Sequence, residues 1–146
     1  MMNRVLPGFL VIIGVSCLFL SAVAQTKKSD CPGFQDTVLH KFVYKFTDVM
    51  PEPQGGIEKV FKLITKYLKY PTGDASYSGR VIVAFVIEPN GSIDGQRTMN
   101  DPSGSKHVFS KQLLDILGSV KWKPGYCNGK AVPVLYSLPV AIEVGE

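Results

Sequence analysis

The sequence predicts an α+β fold, with two helices on one face of an antiparallel sheet, from three observations. Apolar residues recur with helical spacing in segments 57–68 and 106–119. Segment 81–87 is continuously apolar, and segment 132–142 alternates between apolar and other residues, as strands do. Between them, Asn90-Gly91 is the strongest short signal for a hairpin turn. The 146 residues, 45% hydrophobic and 19% charged, fit one globular domain.

The first helix is predicted over residues 57–68, where one face carries Ile57, Val60, Phe61, Ile64 and Leu68. We interpret a second, basic face as solvated rather than as a surface for a membrane or an acidic partner; it carries Lys59, Lys62, Lys66 and Lys69. Tyr70-Pro71 ends this helix, because the residue before a proline is pushed out of the α region. The second helix is predicted over 106–119, with Ser105 as its N-cap.

The strands follow from composition and alternation. A central strand is predicted over 80–88, and residues 92–99 form its hairpin partner at an exposed edge. The last strand, 132–142, has Pro133 and Pro139 on one parity, and the other parity carries Val132, Val134, Tyr136, Leu138, Val140 and Ile142. Since proline cannot donate to a ladder, we expect an edge strand whose outer backbone groups stay free. Residues 43–46 have the composition of one extra short strand.

The N-terminal segment has the pattern of a secretory signal. Arg4 precedes an uncharged apolar run, and Ala22-Val23-Ala24 offers small residues before Gln25. We predict cleavage after Ala24; an uncleaved anchor of about 20 residues and a lipid-modified Cys17 are the alternatives. Each of these places the folded part outside the cytoplasm. The predicted organisation is a signal peptide or anchor over 1–24, a polar leader over 25–41 and the domain over 42–146.

Two cysteines remain after cleavage, Cys31 and Cys127. An oxidising compartment permits a disulfide between them, which would close a loop of about 95 residues. Two free or intermolecular thiols are the alternative, since sequence does not show whether the Cα atoms come within bonding range. We predict the disulfide.

The sequence offers no recognisable catalytic or metal-binding pattern. His40 and His107 are the only histidines, and neither lies in a metal-ligand spacing. No nucleophile elbow, phosphate-binding glycine loop or C-x-x-C occurs. The formal charge of +4 is spread along the chain, unlike that of a nucleic-acid-binding tail. We therefore expect no enzyme activity, no metal, no cofactor and no nucleic-acid partner.

Short motifs in the second half occur in a recognisable order. They are Tyr70-Pro71, Gly79-Arg80-Val81, Glu88-Pro89-Asn90-Gly91-Ser92-Ile93, Trp122-Lys123-Pro124-Gly125, Asn128-Gly129-Lys130 and Tyr136-Ser137-Leu138-Pro139. This order resembles the C-terminal domain of the energy transducer TonB, over residues 42–143. Met50-Pro51-Glu52 with Gly55-Gly56 is similar to the opening motif of its Bacteroidetes-type form.

The resemblance implies a periplasmic domain with two helices on a three-stranded antiparallel sheet, of the kind found in TonB and TolA C-terminal domains. It implies binding of the TonB box, a short segment of outer-membrane TonB-dependent receptors, as a strand added beside the last strand. The partner-binding residues that it implies are Val134, Leu135, Tyr136, Ser137, Leu138, Pro139, Val140, Tyr70 and Pro71. The ExbB–ExbD complex is a further partner if the chain stays anchored in the inner membrane facing the periplasm, and a homodimer is left open.

Some positions depart from the family pattern. Pro53-Gln54 stands where an aromatic–proline pair is usual, and Tyr67 stands where some members carry a glutamine. The return strand is polar at Gln96 and Thr98. The leading hypothesis is a periplasmic TonB-like protein in energy transduction for transmembrane transport or its regulation. The alternative is a secreted, disulfide-bridged interaction or inhibitor domain of the same fold with another partner.

Overall fold

The computed structural model describes residues 28–72 and 76–143. There the elements run in the order β1 (Gly33–Asp36), β2 (Lys41–Tyr44), β3 (Glu52–Pro53), α1 (Gly56–Tyr67), β4 (Ser78–Ile87), β5 (Ile93–Asn100), a 3₁₀ turn (Gly104–Lys106), α2 (Val108–Gly118), β6 (Trp122–Lys123), β7 (Gly125–Cys127), β8 (Lys130–Val132) and β9 (Val134–Glu143). The predicted signal segment, 1–24, lies outside the described residues. None of the described helices is long and apolar enough to cross a membrane.

The main sheet has five strands in the order β1-β2-β9-β4-β5, so the prediction of three strands is wrong. The two additional strands pair as the antiparallel β1–β2 hairpin. The short strand expected at 43–46 is observed as β2, at Lys41–Tyr44. β1 lies within the range predicted to be a polar leader. The prediction from composition missed this strand. Three of its four residues are exposed, so its sequence does not alternate between apolar and polar residues.

The longest contact in the sheet is the antiparallel ladder between β4 and β9. It pairs ten residues of each strand, from Ser78 with Glu143 to Ile87 with Val134. β5 lies on the other side of β4 as a mostly exposed edge strand, as predicted. Both helices pack on one face of the ladder. The core there contains Val60, Ile64 and Leu68 near α1, Phe109, Leu113 and Leu117 of α2, Val81, Val83, Phe85 and Ile87 of β4, and Leu138, Val140 and Ile142 of β9.

The predicted hairpin turn at Asn90-Gly91 is present and packs against Trp122. Gly91 has φ +81°, and a β-carbon there would lie 2.3 Å from the Trp122 carbonyl oxygen. Only glycine combines this backbone conformation with this close approach. The Trp122 ring is 3% exposed and contacts Phe85 and Tyr136 at ring-centroid distances of 5.4 Å and 5.2 Å. The turn therefore closes one end of the core.

Helix α2 begins at Val108, and Ser105 is not its N-cap, contrary to the prediction. The first turn is completed by the loop before it, where the Val108 N–H donates to Ser103 Oγ at 2.8 Å and the Ser110 N–H donates to Asp101 Oδ2 at 2.7 Å. Burial raises the pKa of Asp101, but hydrogen bonds from Ser103 and Ser110 outweigh it and hold the pKa below the ordinary value. A carboxylate thus faces the helix N-terminus, where negative charge is favourable.

Ionic contacts anchor the β1–β2 hairpin to the β4–β5 hairpin. Asp36 is 1% exposed and accepts hydrogen bonds from Arg97 of β5, at 2.6 Å from Nη2 and 3.3 Å from Nη1. The same carboxylate accepts the backbone N–H groups of Val38 and Leu39 at 2.9 Å, which fixes the turn between β1 and β2. Lys41 forms a second ion pair with Glu88. The Arg97 guanidinium holds the pKa of Asp36 below its ordinary value.

Replacing Asp36 by asparagine should lower the free energy of unfolding by about 2–3 kcal/mol at pH 7, because the partly buried Arg97 loses its charged partner. Since the folded-state pKa of Asp36 is lowered, this stabilisation is complete well above pH 3.8 and is lost as the pH falls through the lower, folded-state pKa. Urea unfolding of wild type and variant across this pH range is the measurement. Asp115→Asn, at an exposed site on α2, is the control and should show no such difference. A difference between wild type and Asp36→Asn that stays constant down to pH 2 would contradict the assignment.

Candidate functional site

The outer edge of β9 is the candidate site, and one hydrogen bond fixes its orientation. The Tyr44 N–H of β2 donates to the Pro133 carbonyl at 2.9 Å, so residue 133 points its backbone away from β4. Backbone groups alternate along a strand, and the even-numbered residues of β9 therefore face β4 in the ladder. The odd-numbered residues, 135 to 143, point their N–H and C=O groups outward. This is the orientation expected from the parity of the two prolines.

Only the start of this edge is covered by another strand. β2 pairs with β9 in parallel through the single pair Tyr44 and Val134, which places the Leu135 N–H opposite the Tyr44 carbonyl. Beyond that point, no described residue pairs with the outward groups of β9. Pro139 has no N–H, so the outward donors that remain are those of Ser137, Ala141 and Glu143. The prediction of a plain edge strand is thus corrected: β9 is covered at its beginning and open along the rest.

A groove of about 490 Å³, lined mainly by apolar residues, follows the open part of β9 on the helix side. It is lined by Phe61, Ile64, Thr65, Leu68, Tyr70, Pro139, Val140, Ala141 and Ile142. Phe61 lies on the apolar face predicted for α1, but it is 44% exposed and borders the groove. Tyr70 is 48% exposed and borders the same groove. A strand added to β9 would therefore lay alternate side chains against α1 and Tyr70.

The surroundings of the groove are basic. Lys62 and Lys66 of α1 are exposed and line an adjoining cleft with Phe61 and Thr65. The acidic residue in that cleft is Glu58, in the first turn of α1. The basic face of the helix is thus solvated, as predicted, and it lies next to the open edge.

The residues of β9 in the predicted binding set fall into three groups. Ser137 and Pro139 are exposed on the open edge. Val134, Leu138 and Val140 have buried side chains and backbone groups that face β4, so they offer an added strand no free hydrogen-bonding group. Leu135 is half-buried and turned toward β2, and Tyr136 packs into the core, where burial raises its pKa.

Tyr70 of the predicted pair Tyr70-Pro71 lines two clefts, and Pro71 lines the one that lies away from β9. Tyr70 contacts the groove beside β9, and its ring lies 5.9 Å from that of Phe109. Pro71 lines a different cleft, of about 640 Å³, with Tyr67, Tyr77 and residues of α2. The structure therefore brings Tyr70 to the candidate site and leaves Pro71 outside it. Sequence reasoning missed Phe61, Thr65 and Ala141 as site residues. The available signals were the position of Phe61 and Thr65 at the edge of the predicted apolar stripe of α1, and the position of Ala141 on the same parity as the prolines of β9.

The predicted disulfide between Cys31 and Cys127 is present, with Cα atoms 6.2 Å apart. Around it, Asn128 exchanges two hydrogen bonds with the Ser29 backbone, at 2.8 Å and 2.9 Å, and its N–H donates to Asp48 at 2.6 Å. Hydrogen bonds from Ser29 and Asn128 hold the pKa of Asp48 below its ordinary value. Among the described residues, Cys31, Asp48 and Cys127 are grouped closely enough for a metal ion, but both sulfurs are already bonded to each other. The arrangement is structural, and it ties the start of β1 to the β7–β8 hairpin.

Together, the fold and this edge define a small α+β domain with an open strand beside a groove lined mainly by apolar residues. The description of the matching family is "Gram-negative bacterial TonB protein C-terminal", and its sequence model matches residues 66–142, or 77 of the 146 residues. The chain therefore belongs to the TonB C-terminal domain family, whose members are non-enzymatic transducer and interaction domains. No curated protein is similar enough to the chain to add a named relative. The match leaves out Met50-Pro51-Glu52, so the Bacteroidetes-type form stays a prediction.

Proline substitutions on β9 should separate its two edges. Ser137→Pro should change the free energy of unfolding by less than about 1 kcal/mol, because its N–H carries no ladder bond. Leu138→Pro should cost about 3 kcal/mol beyond the matched Leu138→Ala, because its N–H faces β4. Urea unfolding of the three variants measures this difference. Equal costs for the two prolines, once the Leu138→Ala value is subtracted, would contradict the assigned orientation.

Proposed function

We propose that the domain binds the TonB box of outer-membrane TonB-dependent receptors as an additional strand on the open edge of β9. The observation that carries the proposal is the set of outward backbone groups from Leu135 to Glu143, which no described residue pairs beyond the start of the strand. An extended peptide supplies the missing partners, so its main chain provides affinity and its alternate side chains provide specificity. Membership of the TonB family implies interaction with such receptors in general and supports this choice of partner.

The groove beside β9 supports the same site. One face of an added strand would lie over Phe61 and Tyr70, and the other would face solvent beside Ser137 and Pro139. Apolar side chains on alternate peptide positions would bury the exposed ring surface of Phe61. The exposed Lys62 and Lys66 favour an acidic side chain at a neighbouring peptide position, and a net charge of +4 favours approach of an acidic segment.

The role of this binding is energy transduction for transmembrane transport or its regulation, in the periplasm. A retained N-terminal anchor would place the chain in the inner membrane and make ExbB–ExbD a partner. A cleaved signal would make the domain a periplasmic binding or regulatory protein. A homodimer is a further arrangement that the oligomeric state in solution would test.

The peptide proposal is tested by NMR titration with TonB-box peptides from the organism's own receptors. We expect shift changes at Ser137, Ala141 and the groove residues, and Ser137→Pro should weaken binding roughly fivefold to tenfold by removing one donor. Ser137→Ala is the matched control, because it removes the hydroxyl and keeps the N–H. Shift changes confined to other surfaces, or no binding to any box, would support the alternative of an interaction or inhibitor domain with another partner.

The N-terminal segment is tested on the exported protein. Intact-mass measurement after expression with export should give a chain that begins at Gln25, because Ala22-Val23-Ala24 has the small-residue pattern typical of a signal-peptidase site. Ala24→Leu should block cleavage, since a large side chain does not fit the position before the cut, and Val23→Leu is the control. A mature chain that retains Met1, or that carries a lipid on Cys17, would refute cleavage after Ala24.

A further inference from the structure

The β1–β2 hairpin lies across the beginning of the candidate edge. The Tyr44 N–H donates a hydrogen bond to the Pro133 carbonyl, and the Tyr44 carbonyl faces the Leu135 N–H. The chain then leaves β9, because the N–H of Phe46, the next residue whose backbone would face β9, donates instead to the Pro32 carbonyl at 3.4 Å. The hairpin therefore uses one outward acceptor and one outward donor of the edge and leaves the rest open.

Four separate contacts hold the hairpin in this position. The Cys31–Cys127 disulfide fixes the chain just before β1. The buried Asp36–Arg97 pair and the Lys41–Glu88 pair fix its turn to the β4–β5 hairpin. Leu39 packs over Gly95 so closely that a β-carbon there would lie 2.9 Å from it. A covalent bond at one end and two ion pairs at the other make the hairpin a fixed part of the site.

We infer that the β1–β2 hairpin is a register stop, which ends the docking edge at Leu135 and so sets where an added strand begins. This inference rests on the proposed function. A strand-binding edge made only of backbone groups has a weak preference for register, because every second residue offers the same pair of groups. The hairpin removes that ambiguity by blocking one end, and it lies outside the residues that match the family.

Pro139 adds a second register mark inside the open edge. A docked peptide meets N–H donors at Ser137, Ala141 and Glu143 but only a carbonyl at Pro139. The peptide position opposite Pro139 can donate to that carbonyl, but its own carbonyl finds no donor on β9. The register stop at Leu135 and the missing donor at Pro139 lie four residues apart along β9. A peptide that slides by two residues therefore either collides with β2 or shifts this gap to another position.

The experiment compares wild type with Tyr44→Pro, which removes the N–H that holds β2 to Pro133 and places the proline ring between the two strands. Tyr44→Ala is the matched control, since it also loses the side chain but keeps the N–H. The probes are a receptor-derived TonB-box peptide covering the seven residues opposite Ser137–Glu143, and two versions lengthened by about four residues at one end or the other. Affinities come from titration, and amide hydrogen exchange is followed for Leu135, Ser137 and Ala141.

In wild type and Tyr44→Ala, lengthening the peptide toward Val134 should change its affinity by less than about twofold, and Leu135 should be protected without peptide. In Tyr44→Pro, Leu135 should exchange freely without peptide, and the peptide lengthened toward Val134 should bind roughly fivefold to tenfold more tightly and protect it. Protection of Leu138 and Val140 in the ladder verifies that the variant is folded. If Tyr44→Pro does not fold, the Cys31→Ser/Cys127→Ser variant, which frees the start of the hairpin, takes its place with the same expectations.

Three outcomes would overturn the inference. In the first, the short peptide protects Ser137 and Ala141 in both wild type and Tyr44→Pro, but lengthening the peptide changes its affinity equally in the two proteins. Docking on β9 is then supported and the register stop is wrong. If the lengthened peptide gains affinity in wild type by displacing β2, the hairpin is not a stop. If no peptide protects any outward amide of β9, the proposed function itself fails, and the register stop fails with it.

Discussion

The ten-residue ladder between β4 and β9 is the constraint on which the rest of the structure depends. Because side chains and backbone groups both alternate along a strand, one register decides two things at once. It turns Leu138, Val140 and Ile142 to the helices, and it points the backbone of Ser137 and Ala141 away from β4. A slip by one residue would place Ser137 and Pro139 against the helices and expose the apolar set. The core and the candidate docking edge are therefore two consequences of the same pairing.

The sequence predicted what depends on local periodicity and missed what depends on distant contacts. The two helices, the β4 strand, the Asn90-Gly91 turn and the proline parity of β9 all follow from spacing within short segments. The contact of Tyr44 with Val134 joins segments 90 residues apart, and no local pattern encodes it. The helix cap supplied by Asp101 was missed for a similar reason, since Ser105 has the right chemistry for a cap but the 3₁₀ turn places it elsewhere. Helical spacing placed Phe61 on the apolar face of α1, but it does not show where a neighbouring strand ends, and Phe61 is exposed in the structure.

The candidate site explains why motif inspection found so little chemistry. Its principal binding groups are backbone N–H and C=O groups, which every sequence contains, and only their availability distinguishes this edge from the inner edge of β9. Whether these backbone groups are free to bind depends on the topology of the sheet. β2 covers the first residues of β9, and β9 continues beyond the end of β2. In the proposed binding mode, side-chain selectivity would come from the groove, where Phe61 and Tyr70 are exposed beside the edge. Such a surface is visible only when α1, β2 and β9 are placed together.

Pro139 bears on what the open edge would accept. An exposed strand edge invites pairing with any other edge, including that of a second copy, and proline is one means of limiting this. If two copies met along β9 in an antiparallel arrangement, each would bring its own Pro139, and the pair would lack a donor at two places. A receptor peptide without proline can donate to every outward carbonyl of the strand, so the pair lacks a donor at one place only. The same residue that weakens self-association therefore leaves a short extended peptide as the better occupant of this edge.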